Sequence, residues 1–486
     1  MEETSLKDKA IKGVVWNAIN SYSMKGFQFI IGIVLARLLT PSDYGLVGMT
    51  AIFFAISSVF IDSGFGSALV QKKDRNEEDY CTVFYVNLVV SLFFFCLVFI
   101  IAPFVAAFFE QPLLRDLMRV SAISLIINAL VSTSRNKLYV AVDFKTTTKI
   151  NIISSVISGC IALYCAFCGL GVWTLVIQGL INSFISALLL FYYVRWIPRY
   201  KFSKPSFDRL FGYGSKILVA SLITVVYDNI YGFIIGKKFS AASLGIYAKG
   251  DHFAAFAGDT TAGVLQRVAF PVLTDIQDDK PRLLSAYSRY IKMVAFFVFP
   301  LLMGLCGVAR PFVIFLITEK WASCIIILQI LCFAYMWNGI IRINLNLLYV
   351  TGRSDLVLKL EIIKKTVAFT ILFISLFFGI IGMCIGRVVY ALLAFYMNTY
   401  YTKKILNYGF TTQIKEIAPS FLLSASMMAI ALLISYSITT PIISLVVSIV
   451  VCSVYYLGVS YLFKIASLFE LREIISRRKS KQQIDH

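Results

Sequence analysis

Apolar runs about twenty residues long recur from one end of this chain to the other, and each is long enough to cross about 30 Å of hydrocarbon as a helix. CLVFIIAPFVAAFF (96–109) and IISLVVSIVVCSVYYLG (442–458) set the pattern. Neither alternates polar and apolar residues, as the strands of a membrane β-barrel do over about ten residues. A backbone crossing lipid must satisfy its own hydrogen bonds, so runs of this kind are helical. Of 486 residues, 59% are hydrophobic and 15% charged, against about 45–50% and 25% in soluble domains. The sequence predicts an all-α integral membrane protein.

About fourteen helices are expected from the run lengths. They include 14–38, 44–70, 117–141, 209–236, 243–269, 290–317, 322–350 and 441–464. Connections rich in Lys and Arg alternate with sparse ones. The rich set holds Lys72, Lys73 and Arg75, then Arg195, Arg199 and Lys201, then Lys403 and Lys404, then the tail with Arg477 and Arg478. The sparse set holds little beyond Arg37, Arg115, Lys237, Lys238 and Lys320. Cytoplasmic loops carry the basic excess, so both termini are expected in the cytoplasm. The same rule accounts for the net charge of +19, which calls for no nucleic-acid partner. No sparse-side loop is long enough for an extracytoplasmic catalytic domain. The polar start and the lack of a small-residue cleavage site make the first run a retained span. Most of the ten cysteines lie in apolar runs, and Cys165-x-x-Cys168 has no second pair, so they read as packing residues.

ARLLTPSDYGLVGM (36–49) returns as GKKFSAASLGIYAK (236–249), pairing Arg37 with Lys237, Thr40 with Ser240 and Gly45 with Gly245. INALVSTSRNKLYV (127–140) returns as WNGIIRINLNLLYV (337–350), pairing Asn128 with Asn338 and Asn136 with Asn346. A repeat of about 200 residues holds about six helices, an even number, so the copies run parallel about an axis along the membrane normal. The expected organisation is one lobe over residues 1–200, a second over 201–410, and two further helices with a basic tail over 411–486.

A charge at mid-bilayer costs at least about 2.5–3.5 kcal/mol and needs a cavity or a partner. Lys25, Lys216, Arg135 and Arg342 are the candidate cations for binding an anionic substrate. Asp62, Asp228, Asp251 and Asp259 are the candidate acids for ion coupling or gating. Asn17, Asn20, Ser21, Ser23 and Asn229 would wet the same path. Two readings of Asp62 stand: an ion-binding group, or a carboxylate that satisfies a backbone kinked at Gly64-Phe65-Gly66. His252 reads equally as a proton carrier beside Asp251 or a structural group. Arg387 reads as an interface residue, and Arg310 before Pro311 as a helix end.

No phosphate-binding loop of the G-x-x-x-x-G-K-[ST] form occurs, so no ATP-driven pump and no cofactor is expected. No paired C-x-x-C or H-E-x-x-H metal motif occurs. The R-x-L-x-P-x-D-Y-G stretch (Arg37, Leu39, Pro41, Asp43, Tyr44, Gly45) and D-x-G-x-x-x-A-L-V-Q (Asp62 to Gln71) resemble the Wzx-type polysaccharide flippases, more narrowly the colanic acid exporter branch. These belong to the multidrug/oligosaccharidyl-lipid/polysaccharide exporter superfamily. The second copy departs from the motif, with Ala241, Ser243 and Leu244 in place of Pro41, Asp43 and Tyr44.

The resemblance implies a transporter of polyprenyl-pyrophosphate-linked oligosaccharide, from the inner to the outer leaflet of a bacterial cytoplasmic membrane. The two parallel lobes suggest alternating access by rocking, with a proton or sodium ion on the acids as coupling partner, and a polymerase and chain-length regulators are the expected assembly partners. Two other readings compete. A multidrug antiporter of the same superfamily would favour an acidic path, and basic groups outnumber acids here. A polysaccharide polymerase or glycosyltransferase would need a large outer loop or a soluble domain.

Overall fold

The computed structural model describes residues 26–465 apart from Ser63 and Lys73, and the side chains of that range apart from 264–272 and Ser354. Lys25, the polar residues Asn17 to Ser23, and the basic tail from Arg472 lie outside the described residues. Helices fill almost all of the rest, and no strand occurs among the described residues. Eleven stretches there are long and apolar enough to cross a membrane.

The first helices are α1 (Gly26–Leu38), α2 (Pro41–Asp62), α3 (Phe65–Gln71), α4 (Glu77–Phe108), α5 (Leu113–Val140), α6 (Phe144–Phe167) and α7 (Trp173–Val194). Next come α8 (Lys204–Lys238), α9 (Ala241–Asp275), α10 (Lys280–Gly307) and α11 (Ala309–Ile317). Then follow α12 (Cys324–Tyr335), α13 (Asn338–Val350), α14 (Ser354–Ser375), α15 (Gly379–Leu406), α16 (Phe410–Ser437) and α17 (Pro441–Leu462). Three expected helices are broken: 44–70 at Gly64, 290–317 at Val308 just ahead of Arg310, and 322–350 after Tyr335.

Packing follows the rule for lipid, where bulky apolar side chains gain nothing by turning inward and small ones let helices approach. On α17, Ser444, Ser448, Cys452, Tyr456 and Ser460 recur every fourth residue and are buried. Ile442, Val446, Ile449, Val450, Val454, Leu457 and Tyr461 point outward. All ten cysteines are free thiols, Cys165 buried and Cys168 exposed.

The chain divides into two compact units, Met1–Ala248 and Lys249–His486. In the first, α4 packs on α5, α7 lies against α5 and α6, and α8 lies along α2 and α3. In the second, α15 gathers α12, α13 and α14, while α16 and α17 dock on α10 and α11 through Phe296, Met427, Cys452 and Tyr456. By packing, α8 therefore belongs with the helices before it, although the repeat assigns residues from 201 onward to the second copy.

The repeated residues hold the frame. Thr40 caps α2: its backbone amide and its hydroxyl donate to Asp43 Oδ2 at 2.8 and 2.7 Å, and Asp43 N donates back to Thr40 Oγ1 at 3.3 Å. Ser240 caps α9 in the same way, accepting from Ser243 N at 3.1 Å. Lys237 lies in the last turn of α8, where a cation meets the negative helix end, and donates to Phe108 O at 2.6 Å. Gly45 and Gly245 meet where the starts of α2 and α9 cross. A methyl carbon built on Gly45 would lie 1.7 Å from Ala241 O, and one on Gly245 would lie 1.8 Å from Pro41 O. The contacts are reciprocal: each glycine faces the first residue of the other helix.

Candidate functional site

In the first unit, polar residues recur on one face of three successive helices. Asn128, Arg135 and Tyr139 come from α5; Thr147, Asn151, Ser154 and Ser155 from α6; Asn182, Ser183 and Ser186 from α7. Spacings of three and four residues put each set on one side of its helix. Together they line a cavity of about 410 Å³. A second cavity of about 210 Å³ shares Ser155 and Asn182 and extends to Phe27, Gln28 and Ile31 of α1. Asn128 Nδ2 donates to Ser183 Oγ at 3.3 Å, tying α5 to α7 across the wall. Asn182 Oδ1 is buried without a hydrogen-bond partner among the described residues.

Arg135 is the only basic side chain in that lining. It has no carboxylate within ion-pairing distance among the described residues, although Asp62 lies close enough for their charges to interact. Asp62 ends α2 at a break that glycine makes possible. Gly64 takes φ +69, and a side chain there would strike Gly214 O of α8 at 2.4 Å. A methyl carbon on Gly66 would lie 2.9 Å from Asp62 Oδ1 and 3.1 Å from Asn136 Oδ1. The carboxylate thus folds back over the first turn of α3, next to the buried Asn136.

The second unit is arranged differently. Asp251 and Asp259, two turns apart on α9, each hold an arginine. Arg387 of α15 pairs with Asp251, and Tyr335 of α12 donates to the same Oδ1 at 2.9 Å. Arg387 also donates to the Tyr335 hydroxyl at 2.9 Å, closing a three-residue ring. Arg342 of α13 pairs with Asp259 at 2.8 Å. Arg387, read from the sequence as an interface residue, thus has a carboxylate partner within the helix packing.

The remaining candidates are on α8 or outside the described range. Lys216 is exposed on α8 and makes no ion pair among the described residues, and Asp228 is exposed on the same helix. His252 is exposed on α9 with its ring edge-on to Phe253. Lys137 pairs with Glu77 at 2.6 Å and Lys364 pairs with Glu361. Among the described residues, no group of three or more His, Cys, Asp or Glu side chains is placed to hold a metal. Sequence reasoning passed over the hydroxyls and amides of α6 and α7. Their signal was present, as polar residues at helical spacing within apolar runs.

Residues 34–326 match the family described as polysaccharide biosynthesis protein. The chain belongs to that family. The teichuronic acid biosynthesis protein TuaB of Bacillus subtilis is 25% identical, over 72% of this chain and 73% of its own. The lipopolysaccharide biosynthesis protein WzxC of Escherichia coli is 25% identical, over 74% of each chain. Among solved structures, the lipid II flippase MurJ in an inward closed conformation superposes with a TM-score of 0.75 at 14% identity, covering 93% of this chain and 98% of that one. This family member therefore shares the all-helical transporter fold, and is a multi-pass membrane protein. Its motif residues Thr40, Asp43 and Gly45 serve helix capping and crossing; Arg135 lies elsewhere, in the α5–α7 cavity.

Proposed function

We propose that this polysaccharide biosynthesis protein is a flippase. Its cargo is polyprenyl-pyrophosphate-linked oligosaccharide, carried by alternating access from the cytoplasmic to the outer leaflet of a bacterial cytoplasmic membrane, with both termini in the cytoplasm. The observation that carries the reading is family membership over residues 34–326. Relatives named for polysaccharide assembly and a fold shared with a flippase support it.

Physical chemistry supplies the roles. A pyrophosphate diester carries about two negative charges, which need cations where water is scarce. Lys25 and Lys216 are the cations assigned to the pyrophosphate, with Arg342 in reserve and Arg135 as a further cation of the substrate path. Arg342 reaches an anion only by leaving Asp259, so cargo and Asp259 compete for one guanidinium. Asp62, Asp228 and Asp251 are the other coupling acids, holding a proton or sodium ion when no basic partner neutralises them. A cell interior at −100 mV favours outward movement of an anion by about 2.3 kcal/mol per charge. The moving parts are the two repeat copies, residues 1–200 and 201–410, with 411–486 as an accessory pair of helices and tail.

The test is reconstitution of the full chain in liposomes carrying a fluorescent polyprenyl-pyrophosphate oligosaccharide on one leaflet. Transfer faster than in protein-free vesicles is expected, slowed at least tenfold by Lys25→Ala and by Lys216→Ala. Transfer at the protein-free rate by the folded wild-type chain would overturn the proposal.

A further inference from the structure

The cavity between α5, α6 and α7 has a chemistry of its own. Its lining is amide and hydroxyl almost throughout, and no carboxylate among the described residues contributes to it. It therefore disfavours a metal cation or a drug cation. Its one charge is Arg135. Elsewhere in the described chain, Lys72, Lys137, Arg342, Lys364 and Arg387 each meet a carboxylate. Arg135 has none within ion-pairing distance, Asp62 acting on it only through space, and a guanidinium in a membrane helix without a bonded counter-charge is costly unless an anion or water answers it. The guanidinium fork suits a carboxylate or phosphate bidentately. Asn182 Oδ1, buried and without a partner among the described residues, is an acceptor waiting for a donor. Serine hydroxyls and asparagine amides both give and take hydrogen bonds, as a ring of sugar hydroxyls demands.

Size narrows the ligand. The 410 Å³ falls in the range of small-molecule sites, about 300–1,000 Å³, and is too small for a whole lipid-linked repeat unit. We infer that this cavity is a subsite for a single acidic sugar residue, its carboxylate or phosphate on Arg135 and its hydroxyls on Asn128, Asn151, Asn182 and Ser183. The sugar half of the inference rests on the flippase reading; the anion half stands on the cavity alone. The site would distinguish acidic from neutral oligosaccharides while the pyrophosphate is held elsewhere.

The experiment is calorimetric titration of the full chain in nanodiscs, at constant ionic strength, with glucuronate, glucose 6-phosphate, glucose and inorganic phosphate. At least one acidic sugar should bind at least tenfold more tightly than glucose and than inorganic phosphate. Arg135→Gln should abolish that preference and Arg135→Lys should keep part of it. Asn182→Asp, which places a carboxylate in the same cavity, should suppress binding while leaving the fold intact. Equal binding of glucose and the acidic sugars, unchanged binding by folded Arg135→Gln, or phosphate binding as tightly as the sugars would each overturn the inference. Vesicle transfer separates the two readings. Flipping without acidic-sugar binding removes the subsite and leaves the flippase; acidic-sugar binding without any flipping does the reverse.

Discussion

Replacing Gly45 by alanine tests the frame at its tightest point. The added carbon would sit 1.7 Å from Ala241 O and 2.4 Å from the carbonyl carbon behind it. Ordinary contact starts near 3.4 Å, so the two helix starts must part by about 1.7 Å. Nothing flexible can yield, because the opposing atoms are backbone. Overpacking typically costs about 1–3 kcal/mol and sometimes more, and a rigid clash of this depth belongs at the top of that range. Alanine returns up to about 1 kcal/mol of helix propensity, so a net loss of about 2 kcal/mol is expected. At about 2–4 °C per kcal/mol for a unit of about 200 residues, the melting temperature in detergent should fall by about 4–8 °C. Gly245→Ala should match it, since its carbon would lie 1.8 Å from Pro41 O in the same crossing. One separation relieves both clashes, so the double variant should lose little more than either single one. Gly32→Ala, which meets no described atom within 4 Å, should leave the melting temperature unchanged or raised. Wild-type melting of Gly45→Ala, or a double variant that loses twice the single, would refute the reciprocal crossing.

Arg387→Met leaves Asp251 and Tyr335 with an unanswered charge, and a half-buried pair of this kind should cost about 2 kcal/mol; adding Asp251→Leu should recover about half, giving a coupling of at least 1 kcal/mol in a double-mutant cycle of thermal unfolding. Gly66→Ala should cost about 1 kcal/mol by displacing the Asp62 carboxylate and the Asn136 amide, and should cost less in an Asp62→Ala background, where only the Asn136 contact remains, read by the same melting assay. Lys137→Ala removes the Glu77 ion pair and a cation over the Tyr80 and Trp196 rings; a loss of about 1 kcal/mol is expected, smaller at high salt, measured as melting temperature against ionic strength.

The helices were legible because hydrophobic run length is a local property. The expected 441–464 became Pro441–Leu462 and 209–236 became Lys204–Lys238. The start of α2 came earlier than expected because Thr40 and Asp43 cap it. The break at Gly64 was signalled by its neighbours Asp62 and Gly66. The pairing of Asp251 with Arg387 was not legible, because residues 136 apart meet only through the packing of α9, α12 and α15. The same reason hid the cavity: each of its walls reads as a few polar interruptions, and only convergence of three helices gives them a common space. The packing boundary after Ala248 was hidden too, since the repeat marks where a copy starts and packing decides what it touches.

The two copies agree in frame and differ in chemistry. Thr40 matches Ser240, Arg37 matches Lys237, and Gly45 matches Gly245; these cap, terminate and cross helices. The charged candidates have no such echo. In the register of the repeat, Asp62 faces Ala262, Asp251 faces Ala51 and Asp259 faces Val59. Arg135 faces Leu345, and Arg342 faces Ser132. The two units therefore differ in their electrostatic interiors. The first holds an arginine with no ion-pair partner among the described residues, in a polar cavity, and the second holds acids already matched by arginines. An anion approaching the first unit gains a counter-charge without breaking an ion pair among the described residues. In the second it must break an ion pair to gain one, so the two interiors would answer an anion with unequal affinity.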